Sequence, residues 1–180
     1  ALGSPTYANF TTVSSVPLFA SNVVQAVTFF HGQTNSGRFA LGTANRLHLT
    51  TNGGSTSFSV PSLPGGAAGA NVLSVSYWNS GSTGNEILIG TAAGAALNTG
   101  GGTGAWTAFT TANGLPDNEV WGIAADANGG VWIGTSSGLA RYRDGKIEDF
   151  REKLGIPTGA VFNLRRDPEN VLWIGSRLGL

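Results

Sequence analysis

The stretch that decides the fold is VWIGT at residues 131–135, a short apolar segment that ends in a Gly-Thr pair. It lies between two turn signals, Asn-Gly-Gly at 128–130 and Ser-Ser-Gly at 136–138. Asn and Gly tolerate positive φ angles and are therefore typical of tight turns between antiparallel strands. The continuous apolar character of 131–135 favours a strand buried on both faces. We therefore predict a central strand between two hairpin turns.

Outward from this strand, the neighbouring residues predict a unit of four strands. A first strand covers 120–126, a third covers 139–143, and a more polar fourth covers 147–151. The Asp-Gly pair at 144–145 is the usual signal for a two-residue hairpin. No segment keeps a period of 3.6 residues, so we expect almost no helix.

The same unit recurs along the chain. Its Gly-Thr or Gly-Ser pair begins at residues 42, 90, 134 and 175, and the strand before it starts near 23, 72, 120 and 161, with a proline ahead of each. Four short antiparallel strands in roughly 44 residues make one propeller blade. We therefore predict an all-β fold, a β-propeller of about four four-stranded antiparallel blades that occupies residues 1–180 as a single domain or propeller fragment.

A family resemblance rests on the third unit. Residues 113–120, NGLPDNEV, followed by VWIGTSSGLARY at 131–142, look like the two-component regulator propeller repeat, and the resemblance extends over roughly 113–180. It implies the sensor region of a hybrid two-component system. In that family this region lies outside the membrane and recognises extracellular ligands such as oligosaccharides.

The first half departs from that pattern and resembles another propeller element. TTNGGSTSF at 50–58 is similar to an Asp-box hairpin with Asn52 in the Asp position, and residues 98–106 look like a weaker copy. In such hairpins the Asp or Asn side chain accepts hydrogen bonds from turn amides, and the aromatic residue packs between blades. The resemblance implies a structural role and no activity.

Two ways of completing the propeller remain open. Residues 7–13 are predicted to form an outer strand, whereas the last unit stops where its third strand begins, at 178–180. The N-terminal strand could complete the last blade and close a four-bladed ring, which would remove the sheet edges. Alternatively, the chain is a fragment of a larger propeller, which is the interpretation we favour.

Charge and composition exclude several classes of protein. Ten basic and ten acidic side chains give a net charge of zero, so nucleic acid and anionic membrane surfaces are poor candidate partners. No apolar run approaches the ~18 residues of a spanning helix, so we expect no direct membrane insertion. The absence of cysteine excludes disulfides, thiol catalysis and thiolate metal sites.

The charges are unevenly distributed along the chain. Residues 1–100 hold three of the 20 charged side chains, and residues 101–180 hold the other 17. Either the first half has the neutral polar surface common in secreted β proteins, or a partner covers it, because uncharged surface costs little to desolvate.

Candidate catalytic and metal-ligating residues are few. His31 and His48 are the only histidines and lie at no metal-binding spacing, and neither a Gly-x-Ser-x-Gly elbow nor a P-loop occurs. Asp126 and Asp167 occupy equivalent turns, where Asx turns account for them without calcium. We therefore predict no catalytic residue, cofactor or metal, and no enzyme; a relative of propeller lyases or glycosidases is the remote alternative.

The predicted binding surface is the end of the propeller formed by the loops between fourth and first strands and between second and third strands. The polar residues that these loops supply are Arg46, Asn113, Asp117, Asn118, Ser137 and Arg177. Arginine at such positions could hold a carboxylate, phosphate or sugar acid. Trp132 and Trp173 hold equivalent strand positions and are therefore predicted to pack between blades rather than to bind a ligand.

Two functional hypotheses follow. The first is a non-catalytic extracytoplasmic module, periplasmic or secreted, that senses an oligosaccharide-like ligand. The second is a structural or assembly subunit whose blades dock other protein subunits in a larger complex, which the uncharged first half favours modestly.

Overall fold

The structure is a computed structural model that describes residues 24–29, 39–44, 46–51, 54–59, 71–78, 86–102, 104–126, 128–153, 159–167, 169–177 and 179. These residues form four antiparallel sheets, and the one other regular element among them is a short 3-10 turn. The all-β fold predicted from the turn and strand signals is therefore confirmed.

The 14 strands in the described ranges follow the chain order within every sheet. They are, in the first sheet, β1 (Val24–Phe29), β2 (Phe39–Thr43), β3 (Arg46–Thr51) and β4 (Gly54–Ser59); in the second, β5 (Val72–Trp78), β6 (Glu86–Thr91), β7 (Gly94–Asn98) and β8 (Thr107–Phe109); in the third, β9 (Val120–Ala125), β10 (Val131–Thr135), β11 (Gly138–Arg143) and β12 (Lys146–Asp149); and in the fourth, β13 (Val161–Arg166) and β14 (Leu172–Ser176).

The fourth sheet differs from the four-stranded blade that the repeat predicts. Its two strands are followed by a single bridge between Ser176 and Gly179, where the third strand of the other sheets begins. The predicted outer strand at 7–13 lies outside the described residues.

A recurrent close contact explains the glycine of the Gly-Thr pair. The first strand of each later sheet packs against the first and second strands of the sheet before it. A Cβ atom on the glycine would collide with the valine that opens the next sheet. Such a Cβ would lie 2.5 Å from the valine Cγ1 for Gly42 and Val72, 2.5 Å for Gly90 and Val120, and 2.6 Å for Gly134 and Val161. Only glycine therefore allows the sheets to approach this closely.

Apolar side chains fill the spaces between successive sheets. Leu47 and Ile87 lie in the first of these clusters, Leu88 and Ile133 in the second, and Val161 in the third. All five are completely buried. β6 and β10, the second strands of the two middle sheets, are buried along almost their whole length, which matches their continuous apolar sequences.

The tryptophans of the two equivalent central strands have different surroundings. Trp132 packs edge-on against Phe150 with ring centroids 4.9 Å apart and joins the cluster between the third and fourth sheets, which confirms its predicted packing role. Trp173 is 51% exposed. No sheet follows the fourth among the described residues, so the face that carries Trp173 is uncovered.

The weaker Asp-box-like segment forms the turn expected of it. Asn98 is completely buried, accepts hydrogen bonds from the amides of Gly100 at 2.9 Å and Gly102 at 2.7 Å, and donates to the Ala105 carbonyl at 3.1 Å. Trp106 packs against the cluster between the first two sheets. The side chain of Asn52, in the stronger copy, lies outside the described residues.

Candidate functional site

The loop that enters the third sheet is held by its own asparagines. Thr110 caps a 3-10 turn at Thr111–Asn113, and the Asn113 side chain accepts a hydrogen bond from the Thr110 amide at 3.0 Å. Asn118 reaches back across the loop and accepts from the Thr111 amide at 2.8 Å. Gly114 ends the turn in the left-handed region at φ 102°. Both asparagine oxygens therefore shape the loop itself.

Asp117 joins this loop to the turn between β10 and β11. One carboxylate oxygen accepts from the Glu119 amide at 3.0 Å, and the other accepts from the Ser137 hydroxyl at 2.9 Å. The Glu119 amide is the largest influence on the pKa of Asp117 and lowers it; burial opposes this effect, and the hydroxyls of Ser137 and Ser136 add to it. Asp117 is therefore a carboxylate over most of the pH range.

The structure brings four of the six predicted site residues together, namely Asn113, Asp117, Asn118 and Ser137. Arg177 directly follows β14 of the fourth sheet, is exposed, and donates its backbone amide to the Ala160 carbonyl at 3.1 Å. Arg46 begins β3 opposite Thr43, and its side chain lies outside the described part of the chain. The bond from the Ser136 amide to the Glu119 carbonyl matches that of Arg177, so both loop classes meet at the same end of the sheets.

At the opposite end, the two predicted Asx turns form with different side-chain partners. Asp126 accepts from the Asn128 amide at 3.3 Å and pairs with Arg141, whose guanidinium lies 5.2 Å above the Trp132 ring. Asp167 accepts from the Val171 amide at 2.7 Å and from the Trp173 indole at 2.8 Å. The indole hydrogen bond is the first cause of a lowered pKa at Asp167. The described residues contain no group of three or more side chains suited to hold a metal ion.

Sequence reasoning missed a feature of the first strands, which carry a β-bulge at one register position in all four sheets. In every case the valine that opens the strand pairs with the Thr or Ser of the Gly-Thr pair, and the next residue is left unpaired. The four bulge residues are Gln25, Leu73, Trp121 and Phe162. A bulge redirects the side chain of the extra residue, and bulges are frequent next to functional sites.

All four bulge residues line one hollow of about 690 Å³ that the first strands surround. Trp121 and Phe162 lie edge to face there, with centroids 6.3 Å apart, and Phe162 is 49% exposed. Asn163 and Arg165 add polar groups to the same wall. The volume falls in the range of small-molecule sites, and such sites combine aromatic walls with a few directed polar groups.

No sequence rule for a single chain identifies these residues. Gln25, Leu73, Trp121 and Phe162 share neither size nor polarity. The one signal is their common place, directly after the first valine of each repeat. The functional relevance of this position becomes visible only in the structure, where the bulge residue lines the hollow.

Comparison with known families identifies the repeat. The model of the two component regulator propeller matches residues 114–137, which contain the Asp117 loop, β9, β10 and Ser137. This stretch is similar to a two-component regulator propeller repeat. The resemblance inferred from NGLPDNEV and VWIGT is thereby confirmed. No curated protein matches the chain.

Two of the solved structures that resemble this chain in fold come from B. thetaiotaomicron. The extracellular domain assigned to the hybrid two component system BT3049 is 19% identical with a TM-score of 0.59, covering 87% of this chain and 20% of that one. The extracellular domain assigned to the hybrid two component system BT4673 is 21% identical with a TM-score of 0.60, covering 80% of this chain and 19% of that one.

These likenesses confirm the β-propeller fold. The chain spans about a fifth of the length of these two structures. In the part of the chain that the structure describes, none of the elements is a helix of the length and hydrophobicity needed to cross a membrane.

Proposed function

We propose that this chain is a non-catalytic, extracytoplasmic propeller module that binds a ligand, as part of the sensor region of a hybrid two-component system. The regulator propeller repeat at 114–137 supports the regulatory class. The neighbours in fold are extracellular domains, which supports the location outside the cytoplasm.

The observation that carries ligand binding is the hollow walled by Trp121, Phe162, Asn163 and Arg165. Its chemistry suits an oligosaccharide-like ligand, since aromatic rings pack against the apolar faces of sugars while amide and guanidinium groups donate to hydroxyl or carboxylate oxygens. A bidentate contact from Arg165 would favour an acidic sugar.

The loop end around Asp117 is the second part of the proposed binding surface. The asparagine and aspartate oxygens already accept hydrogen bonds within the loop, which fixes the loop before any ligand arrives. The side-chain amide nitrogens of Asn113 and Asn118 are then the groups with which this end would donate to a ligand.

Thermal unfolding with a panel of neutral and acidic oligosaccharides tests the proposal, because a ligand that binds only the folded protein raises Tm. We expect an acidic member to raise Tm, and we expect Trp121→Ala and Arg165→Ala to remove most of that rise. Lys153→Ala is the matched control, since Lys153 is exposed and pairs with Glu148 away from the hollow.

The outcomes are distinct. Loss of the Tm rise in Asn118→Ala and Ser137→Ala, with none in Trp121→Ala, would place the ligand at the loop end instead. A Tm that no oligosaccharide raises would contradict the sensing proposal.

The alternative function, an assembly subunit that docks other proteins, is favoured by a separate observation. Large apolar side chains are exposed on the two terminal sheets, at Val24, Val27, Phe162, Val171 and Trp173. Recovery of the protein in a fixed ratio with another polypeptide would support this alternative.

A further inference from the structure

The chain contains three Asn-Gly pairs, at residues 52–53, 113–114 and 128–129. In such a pair the backbone nitrogen of the glycine can attack the side-chain carbonyl carbon of the asparagine, because glycine has no side chain to hinder the approach and its backbone is the least restricted. The first pair lies outside the described residues. The other two pairs both follow an alanine, so they differ mainly in their folded surroundings.

The pair at 113–114 has both of its reacting groups held by hydrogen bonds. The Asn113 side-chain oxygen accepts from the Thr110 amide at 3.0 Å and from the Thr110 hydroxyl at 3.4 Å. The Gly114 amide, which would be the nucleophile, donates to the Thr111 carbonyl at 3.1 Å. Both groups would have to leave the capped 3-10 turn before they could react. The fold therefore protects this pair, although both of its residues are exposed.

The pair at 128–129 lies in the turn between β9 and β10 and has no such bonds. Asn128 is exposed, and Gly129 is half-buried with a left-handed φ of 78°. The backbone amide of Asn128 donates to the Asp126 carboxylate at 3.3 Å. Within the described ranges, neither the Asn128 side chain nor the Gly129 amide has a hydrogen-bond partner. Both reacting groups are therefore free to approach each other.

We propose that Asn128 is a site of spontaneous deamidation in the folded protein, whereas Asn113 is protected. The Gly129 nitrogen forms a bond to Cγ of Asn128, the bond from Cγ to the side-chain nitrogen breaks, and ammonia leaves with the proton of the Gly129 amide. Water then adds to one of the two carbonyl carbons of the succinimide ring. Ring opening yields aspartate when the bond to Cγ breaks and isoaspartate when the backbone bond breaks.

Either product changes the charge of this turn. It adds a negative charge near the Asp126 carboxylate, which pairs with Arg141, and like charges repel at short range. Isoaspartate also lengthens the backbone inside the turn that the Asp126 amide closes by donating to the Gly130 carbonyl at 2.8 Å. We therefore expect a lower Tm after deamidation. The turn lies at the opposite end of the sheets from Asp117 and Ser137, so this proposal does not rest on the proposed ligand site.

Peptide mapping by mass spectrometry, after incubation at mildly alkaline pH, tests the proposal. Chymotrypsin separates the two pairs, because Trp121 lies between them and Phe109 and Trp132 flank them. In the folded protein we expect residue 128 to deamidate at least about ten times faster than residue 113, since each of the hydrogen bonds at 113–114 contributes roughly a factor of five. In guanidinium chloride, which releases both pairs, we expect the two rates to become similar.

Two variants separate the reaction from its consequence. Asn128→Gln places the side-chain carbonyl carbon one bond farther from the Gly129 nitrogen, so it should remain unmodified at 128 and keep the Tm of fresh wild type during incubation. Asn128→Asp carries the added charge from the start and should show the decrease in Tm that the charge alone causes.

A rate at 128 that does not exceed the rate at 113 in the folded protein would overturn the proposal. So would a difference that persists unchanged in guanidinium chloride, because the local sequence would then be its cause. If aged wild type is modified at 128 but keeps the Tm of fresh protein, the effect assigned to the turn is wrong.

Discussion

Val161 lies where any side chain at position 134 would have to be, because a Cβ on Gly134 would lie 2.6 Å from the Val161 Cγ1 and 2.9 Å from its carbonyl oxygen. The second contact is with backbone, so rotation of a side chain cannot relieve it. The third and fourth sheets can therefore pack this closely only because residue 134 has no Cβ atom.

We expect Gly134→Ala to destabilise the protein by about 1–3 kcal/mol, the usual cost of overpacking a core. Gly175→Ala is the matched control and should change the free energy of unfolding by less than about 0.5 kcal/mol, since its Cβ would make only ordinary van der Waals contacts with Asn163, at 3.4 Å or more. Urea denaturation of both variants measures the difference. Equal losses of stability in the two variants would show that glycine is needed for the conformation of its own strand and not for the packing of Gly134 against Val161.

Asn98→Ala should destabilise by about 1–3 kcal/mol, because the amides of Gly100 and Gly102 would lose their acceptor. Asn98→Asp keeps the oxygen that accepts both amide hydrogen bonds and replaces the nitrogen that donates to Ala105 with a second oxygen, so its loss should be smaller than that of Asn98→Ala. Chemical denaturation of the two variants compares them. A larger loss in Asn98→Asp than in Asn98→Ala would contradict the assignment of the acceptor as the main contribution.

Trp132→Ala should cost about 3 kcal/mol, since the ring packs against Phe150 and the cluster between two sheets. Trp173→Ala should cost less than about 1 kcal/mol in dilute protein, because half of that side chain is exposed. Equilibrium unfolding followed by circular dichroism avoids dependence on tryptophan emission. Similar costs for the two variants would mean that Trp173 is covered in solution.

The hydrogen bonds to Asp117 predict a pH dependence. Its pKa is lowered in the folded protein, so the carboxylate stabilises the fold at neutral pH, and this contribution is lost as the pH falls through the lowered pKa. The Tm difference between the wild type and Asp117→Asn should be constant above about pH 5 and should shrink as the pH falls below the usual Asp pKa of about 4.

Asp149 and Asp167 also have lowered pKa values. The wild type and Asp117→Asn both contain these two residues, so their effect cancels in the Tm difference. Ser137→Ala serves as a second comparison, because it removes one hydrogen bond from the same carboxylate and should lower Tm at neutral pH. A Tm difference that stays constant down to the lowest accessible pH would contradict the role assigned to Asp117.

Local sequence predicted the strands well, because turn residues and apolar runs act over a few neighbours. Gly145 adopts φ 80° and Asp144 φ 50° in the turn that the Asp-Gly pair predicts. The same reasoning placed Asp117 and Ser137 at one end of the blades, but it did not show that they bind each other across 20 residues of chain.

The sequence by itself determined the repeating blade, the turns and the place of the glycine that precedes each Thr or Ser. Those features depend on backbone angles and side-chain volume at single positions. Only the tertiary structure decided which glycines meet a valine, which tryptophan is covered, and that bulge residues as unlike as Gln25 and Trp121 share one hollow. These relationships join residues of different sheets, so their chemistry depends on the curvature that packs one sheet against the next.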